Sequence, residues 1–142
     1  MPKPPAITGV VESILYVEDL PRATAFYRDL LGLPPLTGEP TRFQALAAGP
    51  GQVLLLFRRG ATLEPLTLPG VGTIPPHDGA GPHHIGLGIP AAAYESWREH
   101  LRASGVEIES ETTWARGGRS LYFRDPDDHA VELVTPGIWP NY

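Results

Sequence analysis

The stretch GGRSLYFRDPDDHAVELVTP, from Gly117 to Pro136, predicts two β-strands joined by a tight acidic turn. Pro126 presets a backbone angle suited to a turn, and the aspartates around it can bond backbone groups two residues further on. The flanking runs 121–123 and 130–134 are rich in the aromatic and β-branched residues that favour strands. Because side chains alternate along a strand, Glu132 lies on the face opposite the bulky apolar residues.

Length and composition limit the classes of protein that this chain can represent. A chain of 142 residues is long enough for one domain and too short for two independent cores. A net charge of -5 without a basic run argues against nucleic acid and anionic membranes as partners. The absence of cysteine excludes disulfides and thiolate chemistry and is typical of a reducing compartment. With no signal peptide and no long apolar run, we expect a cytoplasmic protein that binds a small molecule.

The first half of the chain predicts one strand, one helix and three further extended pieces. A strand over 10–17 is followed by a helix that Asp19 caps and that continues through Leu31. An edge piece at 33–36 and strands over 41–48 and 52–58 complete the half. The next segment, 59–82, is rich in Pro and Gly without periodicity, and we interpret it as a long connection.

The second half repeats the order of the first. A strand over 83–89 precedes a helix over 91–104, a strand over 106–109 and the hairpin at 117–136. We therefore predict a single α+β domain over 1–142 that is built from two β-α-β-β-β modules. Module one covers about 8–58, the connection covers 59–82 and module two covers 83–136.

The repeat brings three polar side chains to matching positions. Counting back three residues from Leu15 and from Leu87, which occupy equivalent places in the two first strands, gives Glu12 and His84. Both lie on the strand face opposite the helix-packing residues, and Glu132 lies on the matching face of the last strand. The glycines at 86 and 88 share the face of His84 and leave room for a ligand.

Three segments resemble the glyoxalase, bleomycin-resistance and extradiol-dioxygenase superfamily. They are ILYVEDLPRATAFYRDLLGL (14–33), HHIGLGIP (83–90) and the hairpin at 117–136. The resemblance implies curved sheets that form a cupped, partly open barrel around one divalent metal, and it implies a homodimer. The metal positions of the family fall on Glu12, where histidine is more common, and on His84 and Glu132. Asp128 replaces the usual glycine of the final turn and tolerates left-handed backbone better than most residues.

One imidazole and two carboxylates suit Mn, Fe, Zn, Ni or Mg. Three protein ligands leave positions open for a substrate with two neighbouring oxygens, whose carbonyl or hydroxyl the metal would polarise. Glu132 or Glu12 would then act as general base, which predicts an isomerase, epimerase or lyase that works through an enolate. We expect the substrate to be bound by further side chains around the metal, namely Tyr16, Arg58, His77 and Tyr122.

Three alternatives compete with this interpretation. A metal-free protein that sequesters a drug, as in bleomycin resistance, would use the same residues as a polar lining. A ring-cleaving dioxygenase ranks behind the lyase, because such enzymes hold iron with two histidines and one carboxylate. An interaction module that has lost its site is disfavoured by the three occupied ligand positions. Trp114 and Trp139 are expected to line the pocket or a dimer contact, and His129 to be structural.

Overall fold

Ten strands and two α-helices make up the computed structural model, which describes residues 1–142. In chain order the strands are Glu12–Val17 (β1), Pro35–Glu39 (β2), Phe43–Ala47 (β3), Val53–Arg58 (β4), Leu66–Leu68 (β5), Gly72–Ile74 (β6), His84–Gly88 (β7), Ser110–Thr113 (β8), Arg119–Arg124 (β9) and Ala130–Val134 (β10). The helices are Leu20–Ala25 (α1), which a π-helical turn over Phe26–Leu30 extends, and Tyr94–Ala103 (α2), which follows a 3-10 turn over Ala91–Ala93.

The helix boundaries follow the predicted capping signals. The side chain of Asp19 accepts a hydrogen bond of 3.0 Å from the backbone N–H of Arg22, which satisfies one of the free donors at the start of α1. Gly32 and Gly105 follow the two helical segments with positive φ angles of 72° and 74°, a conformation that favours glycine. Both predicted helices are confirmed.

The sheets repeat one topology, as the sequence predicts. The first sheet has the order β1-β4-β3-β2 and the second the order β7-β10-β9-β8. In each sheet the first strand pairs in parallel with the last, whereas the other pairs are antiparallel. The two four-stranded sheets are open rather than closed into barrels, and β1 and β7 lie at sheet edges. The α+β fold of two β-α-β-β-β modules is therefore confirmed.

Three element predictions were wrong in detail. The segment 59–82 is not without structure, because β5 and β6 form a small antiparallel hairpin within it; three residues per strand are too few to show alternation. The second strand of module two is β8, at 110–113 instead of 106–109. Val106 and Ile108 alternate because they pack against the core, not because they pair in the sheet. The first strand begins at Glu12 rather than at residue 10.

One hydrophobic core joins the two modules. It contains Leu15 and Val17 of β1, Leu121 and Phe123 of β9, and residues of both helices such as Tyr27 and Leu101. Each sheet thus packs one face against the helices and this shared core. We call the opposite face the cup face; it carries Glu12, Ile14 and Tyr16 on β1, His84, Gly86 and Gly88 on β7, and Glu132 on β10. No helix has the length and apolar character needed to span a membrane.

Candidate functional site

Glu132 is the most enclosed ionisable group on the cup face of the second sheet, with 7% of its surface exposed. Its Oε2 accepts a hydrogen bond of 2.5 Å from the hydroxyl of Ser120. Ser120 in turn accepts one of 2.9 Å from the indole N–H of Trp114. These two bonds hold one carboxylate oxygen in place. The other oxygen, Oε1, faces the cup.

His84 completes this arrangement. Its Nε2 lies 3.2 Å from Oε1 of Glu132, and its Nδ1 lies 3.1 Å from the carbonyl oxygen of Ala130. A carbonyl oxygen can only accept, so Nδ1 carries a hydrogen and donates it. In the neutral ring Nε2 is then bare and faces a carboxylate oxygen. A cation that both of these electron-pair donors can bind would stabilise this approach.

The glycines near His84 differ in what surrounds them. Gly86 pairs with Glu132, and a Cβ added to it would lie 3.9 Å from Oε1, an ordinary van der Waals contact, so this position tolerates a Cβ beside the carboxylate. Gly88 does not. A Cβ there would lie 2.5 Å from the phenol oxygen of Tyr142, because the C-terminal segment folds back over β7. The predicted room for a ligand is therefore filled by Tyr142 at Gly88, and at Gly86 it stays a prediction.

Glu12 does not join His84 and Glu132 within one chain. It is exposed on β1, and no group of three or more His, Cys, Asp or Glu side chains is placed to hold a metal ion. Strand register places Glu12 on the cup face. The two modules pack against each other through their helix sides, and this packing keeps Glu12 away from His84 and Glu132. The three residues therefore do not converge within one chain, and their convergence between two copies stays a prediction.

The four expected substrate-binding residues fall into three places. Tyr122 pairs with Glu132 and shares its face, and its ring lies 6.4 Å from that of His84. Tyr16 and His77 meet on the cup face of the first sheet, where the phenol oxygen lies 2.7 Å from Nδ1. Arg58 does not lie on either cup face. Its neighbour Phe57 pairs with Tyr16 on the cup face, so Arg58 lies on the opposite face of β4. Its Nε donates a hydrogen bond of 2.8 Å to the carbonyl oxygen of Thr41.

Tyr16 is held as a neutral hydrogen-bonding group. Burial and, to a smaller extent, the negative charge of Asp78 raise the pKa of its phenol above the ordinary value. Gly79 lies against the face of its ring, where a side chain would collide. The segment after β6, which contains His77 and Gly79, therefore covers the Tyr16 end of the first cup face. It also fixes the Tyr16 hydroxyl beside His77.

Sequence reasoning missed Ser120. Ser120 lies two residues from Tyr122 on β9, which makes it the diagonal cross-strand neighbour of Glu132. That spacing was the available signal. Trp114, which was expected at the pocket or at a dimer contact, supports Glu132 through Ser120 instead of contacting it directly.

Comparisons with known proteins agree with this fold. The model of the glyoxalase/bleomycin resistance protein/dioxygenase superfamily matches residues 8–133. The fosfomycin resistance protein FosX of Listeria monocytogenes is 26% identical over 136 residues, which is 89% of this chain and 89% of FosX. A crystal structure of lactoylglutathione lyase from Agrobacterium tumefaciens is 30% identical, with a TM-score of 0.84, over 97% of this chain and 99% of the lyase.

A more distant structure has the same fold. FosX from Mesorhizobium loti has a TM-score of 0.62 at 22% identity and covers 92% of this chain and 93% of its own. The family match spans both sheets and the hairpin that carries Glu132. The chain therefore belongs to the glyoxalase/bleomycin resistance protein/dioxygenase superfamily.

Proposed function

We propose that the protein is a metal-dependent enzyme that acts on a small substrate with neighbouring oxygen atoms. The observation that supports this proposal is the approach of His84 Nε2 to Glu132 Oε1, at 3.2 Å, with the second nitrogen of the ring and the second oxygen of the carboxylate each held by another group. Nitrogen and oxygen ligands whose other atoms are tied down in this way are typical of metal centres. The residues present therefore fit a divalent cation.

The third ligand in this proposal is Glu12 of a second copy of the chain. Each cup face is open, since Glu12 is exposed and 56% of the His84 side chain is accessible. Apolar residues around Glu12 are exposed as well, with Val11 at 58% and Ile14 at 39%. A homodimer that places the first cup face of one copy over the second cup face of the other would cover these residues. It would also form two equivalent sites, as a twofold symmetric contact requires.

The two carboxylates differ in freedom, which gives them different roles. Glu132 is buried and fixed through Ser120, so we assign it as a ligand through Oε1. Glu12 is exposed, and we assign it as the ligand that would leave the metal when substrate binds and would then accept a proton from the carbon next to the substrate carbonyl. A bound divalent cation would supply Lewis-acid polarisation of that carbonyl. We assign Tyr122, whose ring lies 6.4 Å from that of His84, as a donor of a hydrogen bond to a substrate oxygen.

This assignment favours isomerase, epimerase or lyase chemistry. The relatives named above provide the first compounds to test, since one is named for lactoylglutathione and the other for fosfomycin. Mn, Fe, Zn, Ni and Mg all accept a ligand set of one imidazole and two carboxylates.

Metal content is the direct test. We expect the protein purified without chelator to carry about one metal ion per chain. His84→Ala and Glu132→Gln should lose most of it, and Glu12→Gln should lower the affinity for the metal and abolish turnover. Glu99→Gln, on the exposed side of α2, is the matched control and should change neither. If all three site variants keep full metal content, the site lies elsewhere.

A second candidate is a metal-free protein that binds a small molecule. It is favoured by the absence of three converging ligands within the single chain. Ligand binding that survives dialysis against a chelator, together with a monomeric mass at micromolar concentration, would favour this candidate over the enzyme.

A further inference from the structure

A separate cavity of about 360 Å³ lies beside the first cup face. It is lined by Arg42, by segment 60–66 and by Ile74, Pro75 and His77. Its volume falls within the range of small-molecule pockets, about 300–1,000 Å³. None of Glu12, His84 and Glu132 lines it. The cavity is therefore distinct from the candidate metal site.

Arg42 is the main charged group in this cavity. Its guanidinium lies over the rings of Phe43 and Phe57, at 5.3 and 5.9 Å from their centres. Only 17% of the side chain is exposed, yet its one ion pair is a 3.5 Å contact with Glu39, and it donates no hydrogen bond within the chain. A guanidinium carries five N–H donors in a planar fork that suits carboxylate and phosphate groups. Most of these donors are free to bind a ligand.

Three consecutive residues of the cavity lining have free backbone donors. The consecutive N–H groups of Thr62, Leu63 and Glu64 donate no hydrogen bond within the chain. Runs of free backbone N–H groups form concave sites for anions. The carboxylate of Glu64 is the only negative side chain in the lining, and this residue is exposed to solvent.

His77 links the cavity to the first cup face. Its backbone N–H donates to the carbonyl oxygen of Thr62 at 2.9 Å, and the Thr62 hydroxyl donates back to its carbonyl. The ring packs edge-on against Phe57, with centroids 4.6 Å apart, and its Nδ1 contacts the Tyr16 hydroxyl. With Tyr16 as the donor, Nε2 carries the hydrogen, and it has no partner in the chain.

We propose that this cavity is an anion-binding subsite that holds a carboxylate or phosphate group through Arg42 and the N–H groups of 62–64. The subsite lies beyond Tyr16, and the four steps along β1 from Glu12 to Tyr16 span about 13 Å. The anion is therefore either the far end of an elongated substrate or a separate small molecule. The subsite itself does not depend on the proposed metal chemistry.

Titration of the full chain with inorganic phosphate, followed by NMR, tests the subsite. We expect saturable shifts at the Arg42 side-chain Nε–H and at the amides of 62–64, with a Kd on the order of 1 mM. Arg42→Gln should weaken binding by about tenfold or more, and Arg42→Lys, which keeps the charge without the fork, by less. The matched control is Arg22→Gln, an equal loss of charge on the exposed side of α1, which should leave the Kd within about twofold. The amide spectrum of each variant verifies that it is folded.

A second titration identifies the source of the anion. If S-lactoylglutathione shifts the NMR signals of both Arg42 and Tyr122, and Arg42→Gln weakens the binding of this compound, the subsite holds the far end of a substrate. If phosphate alone shifts Arg42, the subsite holds a separate anion. The proposal is overturned if phosphate gives no saturable shift at these groups, or if Arg42→Gln and Arg22→Gln bind it equally well. The metal content of Arg42→Gln should equal that of the wild type. A loss of phosphate binding in this variant then reports on the subsite and not on the metal site.

Discussion

Tyr27 of the first module donates a hydrogen bond to Asp125 of the second, with 2.7 Å between the phenol oxygen and Oδ2. Both residues are buried, at 0% and 6% exposure. The other oxygen of Asp125 accepts from the backbone N–H groups of Asp127 and His129, each at 2.9 Å. Burial, followed by the charge of Asp125, raises the pKa of Tyr27 far above its ordinary value, so the phenol remains a donor. The acidic turn before β10 is thereby fastened to the helical segment of the other module.

Tyr27→Phe should lower the free energy of unfolding by about 1.5–3 kcal/mol, the usual contribution of a hydrogen bond to a charged group. Tyr122→Phe is the matched control, because its hydroxyl makes no hydrogen bond within the chain and its loss should cost less than about 0.5 kcal/mol. Urea denaturation of both variants measures the difference. Equal stabilities would show that the bond between the modules contributes nothing.

His83 should make stability depend on pH. Burial, followed by the charges of His129 and Arg59, lowers the pKa of its imidazole. Its ring stacks on that of His129 at 4.5 Å, and its Nδ1 is buried without a partner. Because the pKa of His83 is lower in the folded chain, the unfolded chain binds the proton more readily. The free energy of unfolding should therefore decrease as the pH is lowered from the unfolded pKa, about 6.5, to the folded pKa.

Denaturation of wild type and His83→Gln between about pH 7.5 and pH 5 tests this dependence. We expect the variant to lose less stability over that range, since it lacks the group whose protonation the fold resists. Parallel curves for the two proteins would contradict the assignment to His83.

Gly88 and Tyr142 should be coupled in stability. A Cβ at position 88 would displace the phenol, which donates a 2.9 Å hydrogen bond to the carbonyl oxygen of Val134. Gly88→Ala should therefore cost about 0.5–1.5 kcal/mol more in wild type than in a Tyr142→Ala background. Gly86→Ala is the control and should cost the same in both backgrounds. A double-mutant cycle with no coupling at Gly88 would contradict the contact.

Asp128 adopts a left-handed backbone conformation, with φ of 65°. Asp128→Gly should leave stability unchanged or raise it by up to about 1 kcal/mol, because glycine has no Cβ to oppose this conformation. Asp128→Val should lower it by at least about 1–2 kcal/mol. The 4.0 Å contact of Asp128 with Arg124 is exposed and contributes little to either result. Thermal unfolding measures both variants. If Asp128→Val proved more stable than Asp128→Gly, the conformational explanation would be ruled out.

The sequence by itself determined both helices, most of the strands and the faces of those strands. The limits of β10, the cap at Asp19, the left-handed backbone at Asp128 and the repeat of two modules all match the prediction. These features depend on alternation, helical spacing and turn chemistry, which act over a few residues. For the same reason, Glu12, His84 and Glu132 were placed on the correct strand faces.

Only the tertiary structure decided which of these faces meet. The helices and the helix-packing sides of both sheets are buried in one core, so the two cup faces point away from it, and Glu12 is separated from His84 and Glu132. The Ser120 support of Glu132 and the cavity at Arg42 likewise depend on contacts across strands and across the 59–82 segment. Such contacts are set by how apolar surfaces from distant parts of the chain pack together, which local pattern does not encode.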